Sequence, residues 1–274
     1  MNSLRSFVKR NALVLFFLLT YLISFSLFLT WDWANDDSIP WFTFGPLLSA
    51  LSLTALAGGW PAMKALLGRL VQWRVGWRWY AVAFGVPVAI ALGAIGLATL
   101  VGVPAPTAAQ WASWPSLFLA FPIRVFFSGP FGEELGWRGF ALPRLQAKYH
   151  PLVATVILSV LGAIWHLPLA LIGQNQWPDL LLILAGYVLI SWVYNSTNGS
   201  VLLALLFHGV TNTMGGAFLS RMYTGANAVQ FSIWHTVVWF VAALIVVVAT
   251  KANLGRKPTK QAQSAFIDPS LATQ

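Results

Sequence analysis

The sequence contains no cysteine and very little charge. Only 8% of its 274 residues are Asp, Glu, Lys or Arg, and 58% are hydrophobic. Soluble domains are about 25% charged and about 45–50% apolar. The absence of cysteine excludes disulfides and thiolate chemistry. The scarcity of charge excludes an ordinary soluble domain and predicts a protein that crosses a membrane several times.

Acidic residues are the scarcest charged group, with seven in the whole chain and a formal net charge of +9. In a soluble protein this excess of positive charge would suggest a nucleic-acid partner. Here the basic residues fall between long apolar runs, so membrane topology explains them better. We therefore predict a lipid bilayer, and no nucleic acid, as the partner of these cations.

The apolar runs predict an all-α, polytopic transmembrane helical bundle of about eight spans. The first is a retained helix rather than a signal peptide, because no small-residue cleavage site follows it. The approximate spans are residues 11–30, 41–59, 79–101, a fourth that begins near Ser116 and carries a glutamate pair, 152–172, 180–194, 201–219 and 231–250.

The distribution of charge predicts the orientation of these spans. Basic residues gather in the N-terminal tail, the 60–78 loop, the 138–148 region and the C-terminal tail. The opposite loops contain Asp32, Asp36, Asp37 and Asp179, with Arg221 as their one basic residue. By the positive-inside rule both termini are cytoplasmic. We expect residues 1–250 to form a single transmembrane domain and residues 251–274 to form a basic, disordered cytoplasmic tail.

The pair Glu133-Glu134 interrupts this pattern. The stretch before it, residues 111–131, contains only one charge, Arg124. An ionisable group at membrane depth costs about 2.5–3.5 kcal/mol on insertion scales unless it is paired or hydrated, so such groups usually mark functional sites. The alternative is structural: Glu134 and Arg138 are four residues apart and would share a helix face as an interfacial ion pair.

Two further polar groups lie in apolar helices: His166, and His208 with Asn212 one helical turn later. Either histidine alone is more often a satisfied core residue, but three such groups in three helices favour a site. If the fourth and fifth helices form a hairpin that turns near residues 149–151, Glu133 and His166 lie 16 and 17 residues from Tyr149. Both are then about 24 Å from the turn, at one level.

These residue types support hydrolysis. A buried carboxylate beside a histidine can deprotonate a water molecule, and His208 with Asn212 can donate hydrogen bonds to an oxyanion. Glu133, His166 and His208 could instead hold a zinc ion, which also activates water. The His-Glu-x-x-His spacing of zinc proteases is absent. We therefore favour a site without a metal cofactor, with zinc as the alternative.

The ordered motifs Glu-Glu-x-x-x-Arg, His and His-x-x-x-Asn resemble the CPBP intramembrane proteases, which include the type II CAAX prenyl endopeptidases and bacteriocin-processing or immunity proteins. The resemblance covers residues 121–216. It implies that Glu133 activates water with help from His166, and that His208 and Asn212 stabilise the oxyanion. It also implies that Glu134, counted in the catalytic set, and Arg138 support the site. One departure is Gly162, where the family usually has an aromatic residue four positions before its histidine.

The sequence thus predicts an intramembrane endopeptidase in the cell membrane of a prokaryote. Its expected substrate is a membrane-associated peptide or protein, with lipidated molecules among the candidates. Two alternatives stay open at this point. One is a non-proteolytic immunity or partner-stabilising protein of the same fold. The other is a proton-coupled transporter in which Glu133 carries the proton.

Overall fold

The computed structural model describes residues 2–30, 41–127 and 129–256. This part of the chain is helical and contains no β-strand. Its α-helices are α1 (Asn2–Arg10), α2 (Ala12–Leu29), α3 (Gly45–Gly68), α4 (Trp77–Leu100), α5 (Ala108–Trp111), α6 (Ser116–Phe127), α7 (Pro130–Glu134), α8 (Leu142–Gln146), α9 (Pro151–Leu171), α10 (Trp177–Ser196), α11 (Val201–Asn212) and α12 (Gly225–Ala249). Two π-helices, Leu135–Ala141 and Thr213–Phe218, directly follow α7 and α11. The 3₁₀-helices are Phe42–Phe44, Arg69–Val71 and Leu219–Arg221.

Seven helices in the described ranges are long and apolar enough to cross a membrane. They are Ala12–Leu29, Phe42–Val71, Trp77–Leu100, Pro151–Leu171, Trp177–Ser196, Val201–Arg221 and Gly225–Ala249. This confirms the polytopic helical bundle predicted from composition, and the protein is an integral, multi-pass membrane protein. The acidic linker at residues 31–37 lies outside the described residues.

The fourth predicted span differs from the sequence prediction. The prediction of a single helix from Ser116 through the glutamate pair is wrong, because the helix ends at Phe127 and a new helix, α7, begins at Pro130. Gly129 has φ 115°, a backbone conformation that side chains with a Cβ rarely adopt. Pro130 then occupies the first turn of α7, where its missing N–H is not needed. The glutamates therefore lie on a separate segment that runs through the first π-helix into α8.

This glutamate-bearing segment packs directly on the start of α3. An ideal Cβ on Gly132 would lie 2.5 Å from the Thr43 carbonyl oxygen, and one on Gly136 would lie 2.6 Å from Pro46. Small residues allow helix backbones to approach closely in membranes. The two glycines thus seat the segment in the middle of the bundle, where both carboxylates are buried.

The first residues of the predicted tail contact the bundle. Residues 251–256 pack against the bundle: Leu254 is fully buried, and its carbonyl accepts a hydrogen bond of 3.0 Å from Asn195 Nδ2. The Arg256 guanidinium donates to the carbonyl of Gln146. These contacts differ from the disorder expected at residues 251–256, while the boundary predicted at residue 250 stays a prediction. Residues 257–274 lie outside the described part of the chain.

Candidate active site

Two hydrogen-bonded pairs organise the glutamates, each with a spacing of four residues. Trp137 Nε1 donates to Glu133 Oε2 at 3.2 Å, and Arg138 Nη1 donates to Glu134 Oε1 at 2.9 Å. Glu133 is 3% exposed, while Glu134 and Arg138 are fully buried. The ion pair anticipated as an interfacial anchor does form, but it forms inside the bundle. The two carboxylates consequently have different partners and different environments.

His208 is joined to the second carboxylate. Its Nδ1 lies 2.7 Å from Glu134 Oε1, the same oxygen that accepts from Arg138. An ionised carboxylate only accepts hydrogen bonds, so Nδ1 is the donor in this pair. This refines the role predicted for His208, because Glu134 orients the ring and Nε2 is the nitrogen left for another partner. The side chain of His208 is 14% exposed, whereas that of Glu134 is completely enclosed.

Gly129 lies where the first carboxylate meets Asn212. An ideal Cβ at Gly129 would be 2.5 Å from Glu133 Oε1 and 3.4 Å from Asn212 Nδ2. The carboxylate and the amide therefore flank one small space, beside a residue without a side chain. The same glycine accepts a backbone hydrogen bond of 2.8 Å from the N–H of Glu133. The left-handed turn at Gly129 thus positions Glu133 as well as leaving room next to it.

His166 approaches the glutamates from α9. Its ring has electrostatic interactions with Glu133 and with His208. Its Nδ1 lies 2.8 Å from the carbonyl oxygen of Gly162 and donates to it, which leaves Nε2 as the second ring nitrogen. The neighbouring Trp165 packs edge-on against Trp137 with ring centroids 5.7 Å apart. His166 is therefore close enough to Glu133 to interact with it, and their common depth stays a prediction.

The departure at Gly162 has a structural counterpart on another helix. An ideal Cβ at Gly162 would lie only 2.3 Å from the hydroxyl oxygen of Tyr187, which belongs to α10. The Tyr187 ring also lies 4.0 Å, centroid to Cζ, from the guanidinium of Arg138. An aromatic ring thus fills the space beside Gly162, but α10 supplies it instead of α9. Gly162 is small because Tyr187 is there.

Both π-helices begin directly after site residues. One follows Glu134, and the other follows Asn212. A π-helix widens one turn and is found frequently at functional sites. In this bundle the two widened turns lie on segments that contribute a carboxylate and an amide to the same space. The local backbone is therefore irregular at two of the places where the polar side chains meet.

Sequence reasoning missed three residues of this site: Gly129, Trp137 and Tyr187. The dipeptide Gly129-Pro130 is a recognised turn signal and could have revealed the break before the glutamates. Trp137 has the same four-residue spacing from Glu133 that identified the pair of Glu134 with Arg138. Nothing in the sequence indicates Tyr187, because its position depends on how α10 packs against α9.

The zinc set considered above does not fit this arrangement. Among the residues that the structure describes, no three His, Asp or Glu side chains are grouped closely enough to hold a metal ion. We therefore derive no chemical step through a metal, and metal content becomes a matter for direct measurement.

The site lies within a region that is similar to known proteases. Residues 112–214 match the family described as type II CAAX prenyl endopeptidase Rce1-like. The resemblance to the CPBP proteases is confirmed. A curated relative, CAAX prenyl protease 2 of Methanococcus maripaludis, is 32% identical over 110 residues, which cover 36% of this chain. The match spans 38% of that relative's length. All the CPBP motif residues, from Glu133 to Asn212, fall inside both the family match and the site just described.

Gly129 provides a test of this geometry. We expect Gly129→Ala to reduce activity at least tenfold, because the new methyl group would lie 2.5 Å from Glu133 Oε1 and must displace it. Gly102→Ala is the matched control, since Gly102 also has a positive φ of 97° but nothing within 4 Å of its Cβ position. Both variants carry similar backbone strain. Equal activity of the two purified variants against a cleaved peptide would contradict the proposed packing around Glu133.

Proposed function

We propose that the protein is an intramembrane endopeptidase that hydrolyses a peptide bond with a water molecule activated by Glu133. The observation that carries the proposal is the shared space beside Gly129, bordered by the Glu133 carboxylate and the Asn212 amide. Histidines from two other helices interact electrostatically with the same carboxylate. The attack of water on an amide requires a general base, hydrogen-bond donors for the oxyanion and an enclosed space. The confirmed resemblance to the CPBP proteases supports this reaction class.

Glu133 acts as the general base. Its Oε2 is fixed by the Trp137 indole N–H, and Oε1 borders the space next to Gly129. In the proposed first step, a water oxygen attacks the carbonyl carbon of the substrate while one water proton moves to Glu133. His166 accepts or donates a hydrogen bond through Nε2 and orients that water. The low exposure of Glu133 keeps bulk water from competing for its carboxylate.

Asn212 and His208 receive the negative charge that develops on the carbonyl oxygen. The Asn212 amide supplies N–H donors, and His208 supplies Nε2 as a donor when its ring carries both protons. Glu134 holds the opposite nitrogen of that ring and lies against Arg138, so the imidazole cannot rotate freely. Such outer partners commonly fix the orientation of a reacting histidine. The carbon–nitrogen bond then breaks, and Glu133 returns its proton to the leaving amine, giving one new carboxylic acid group and one new amine.

The substrate is proposed to be a membrane-associated peptide or protein in a prokaryotic cell membrane. The site lies on helices of a multi-pass membrane protein, so a segment held at the bilayer reaches it more readily than a soluble protein does. The archaeal relative is named as a CAAX prenyl protease. We extend that chemistry to this chain as the proposal that lipidated peptides are among its substrates.

Peptide cleavage by the purified protein tests the proposal. A panel of membrane peptides, with and without a prenyl group, would be incubated with the protein in lipid nanodiscs, and products would be identified by mass spectrometry. Cleavage that persists after extended chelation supports the proposed mechanism, in which Glu133 and not a metal ion activates the water molecule. Stoichiometric zinc whose removal abolishes cleavage, and whose return restores it, would overturn that scheme. Proton-coupled flux without cleavage would favour a transporter, and partner stabilisation without cleavage an immunity-type scaffold.

The orientation proposed for the bundle places both termini in the cytoplasm. Reporter fusions after Asp36 and after Asn253 should then report opposite sides of the membrane, because the first lies in the acidic linker and the second follows the last predicted span. The measurement is the activity of a reporter that works in only one compartment. The same side for both fusions would contradict the proposed orientation.

Asn212 should affect turnover more than binding. We expect Asn212→Ala to lower kcat by about a hundred- to a thousandfold with little change in KM, since the loss of one oxyanion donor typically has that effect. Asn195→Ala serves as the control. Asn195 lies at the C-terminal end of α10, where its side chain donates a hydrogen bond to the carbonyl of Leu254, away from the site. A large rise in KM at constant kcat would instead assign Asn212 to substrate binding.

A further inference from the structure

Three arginines from distant parts of the sequence meet at the end of the bundle that includes the predicted cytoplasmic loops. Arg69 belongs to the 3₁₀-helix after α3, Arg144 to α8, and Arg256 to the segment after α12. They surround the buried Tyr194 of α10: Arg69 donates to its hydroxyl, and all three guanidinium groups interact electrostatically with it. We refer to these four residues as the arginine cluster.

The cluster contains no carboxylate within the described residues. Each arginine has one hydrogen bond there, always to a neutral oxygen: the Tyr194 hydroxyl, the Phe140 carbonyl at 2.7 Å, and the Gln146 carbonyl. A guanidinium group has five N–H donors. Most of the donors in the cluster are therefore unused by the described part of the chain, although Arg69 and Arg144 are close enough to repel each other.

Packing contacts hold the side chains of the arginine cluster in place. The Arg144 guanidinium is stacked 3.6 Å from the ring centroid of Phe140, and Tyr194 is only 3% exposed. Gly199, with φ 84°, allows close approach here: its ideal Cβ would lie 3.4 Å from Arg69 Nη1. On the same short helix as Arg144, the buried amide nitrogen of Gln146 has no hydrogen-bond partner within the described residues. The arginines are thus held in place by packing that does not neutralise them.

We propose that the arginine cluster binds a phosphate group, with the headgroup of an anionic phospholipid as its source in the membrane. A phosphate presents several acceptor oxygens, which match the planar fork of donors on arginine better than a single lysine could. Basic pockets between helices on the cytoplasmic side of membrane proteins are suited to anionic headgroups. Bound phosphate would relieve the repulsion between the guanidinium groups and tie α3, α8 and the end of α12 to one ligand.

This inference is independent of the proteolytic activity, because the arginine cluster includes none of the residues assigned to peptide hydrolysis. Its consequence is conformational. Arg144 lies on α8, which directly continues the π-helix and the segment that carries the two glutamates. A lipid bound at the cluster would therefore hold the far end of the same segment whose near end is packed on α3.

Lipid binding to the intact protein tests the proposal. Dihexanoyl phosphatidylglycerol would be titrated into detergent-purified protein, and bound molecules would be counted by native mass spectrometry. We expect one saturable site, weakened about fivefold by either Arg144→Gln or Arg256→Gln and about thirtyfold by both, the factors that correspond to ~1 kcal/mol per basic residue near an anionic surface. Arg78→Gln is the control, since Arg78 is exposed and has Trp79 as its cation–π contact.

The outcomes separate the explanations. Unchanged binding in both cluster variants, or an equal loss in the Arg78→Gln control, would overturn the proposal in favour of general attraction to basic residues. Arg256→Gln guards against a folding artefact, because Arg256 lies outside the helices and its variant should elute and unfold as the wild type does. Inorganic phosphate provides the second arm. Displacement of the lipid by millimolar phosphate would keep the site but assign it to free phosphate instead of a headgroup.

Discussion

Glu133→Gln is expected to lower the rate of peptide cleavage by about 10²–10⁴-fold, the range typical for loss of a general base. Glutamine keeps the shape of the side chain and an oxygen that can accept from the Trp137 indole, which now donates to Glu133 Oε2 at 3.2 Å. The variant should therefore fold normally and bind peptide, yet it cannot take a proton from water. The measurement is single-turnover cleavage together with peptide binding.

Glu134→Gln is the matched comparison, because it makes the same chemical change one residue later. Its carboxylate accepts from Arg138 and from His208, and both partners would lose a charged acceptor. We expect the Glu134→Gln variant to have a lower thermal stability and some residual activity, in contrast to the stable, inactive Glu133→Gln variant. Equal losses of activity in two equally stable variants would contradict the separate roles assigned to the two glutamates.

The local parts of this site were predictable from the sequence. The pair of Glu134 with Arg138 follows from helical spacing alone, which places residues four apart on one face. The common level of Glu133 and His166 follows from counting residues on either side of a hairpin turn. Both inferences depend on the rise and period of a helix, and the structure confirms the first of them. The bundle itself was predictable for a similar reason, since apolar length decides what can cross a bilayer.

The non-local parts were not predictable in the same way. His208 contacts Glu134 across 74 residues of sequence, and Tyr187 enters the space beside Gly162 from a different helix. Such contacts depend on the rotation and depth of packed helices, which hydropathy does not specify. Gly162 lacks the aromatic side chain that the family usually has at this position, and Tyr187 occupies the space beside it. The small residue Gly162 in α9 and the aromatic residue Tyr187 in α10 are therefore two parts of one packing arrangement.

Arg138 leads to the largest expected change in stability. Its side chain is fully buried, its Nη1 pairs with Glu134 Oε1 at 2.9 Å, and its guanidinium lies 4.0 Å from the Tyr187 ring centroid. We expect Arg138→Met to lower the free energy of unfolding by about 3–5 kcal/mol, the cost of leaving one member of a buried ion pair alone. Methionine retains most of the volume, so the loss reflects charge more than a cavity.

A double variant separates that charge effect from packing. In Glu134→Gln with Arg138→Met no formal charge of the pair is left buried, and replacing both members of such a pair is often close to neutral. We therefore expect the double variant to recover a large part of the stability that Arg138→Met loses. Arg78→Met, at an exposed position, should change the free energy of unfolding by no more than about 0.5 kcal/mol. Unfolding in mixed detergent micelles is the measurement. Strictly additive losses in the double variant would show that Arg138 stabilises the bundle through its contact with Tyr187 rather than through Glu134.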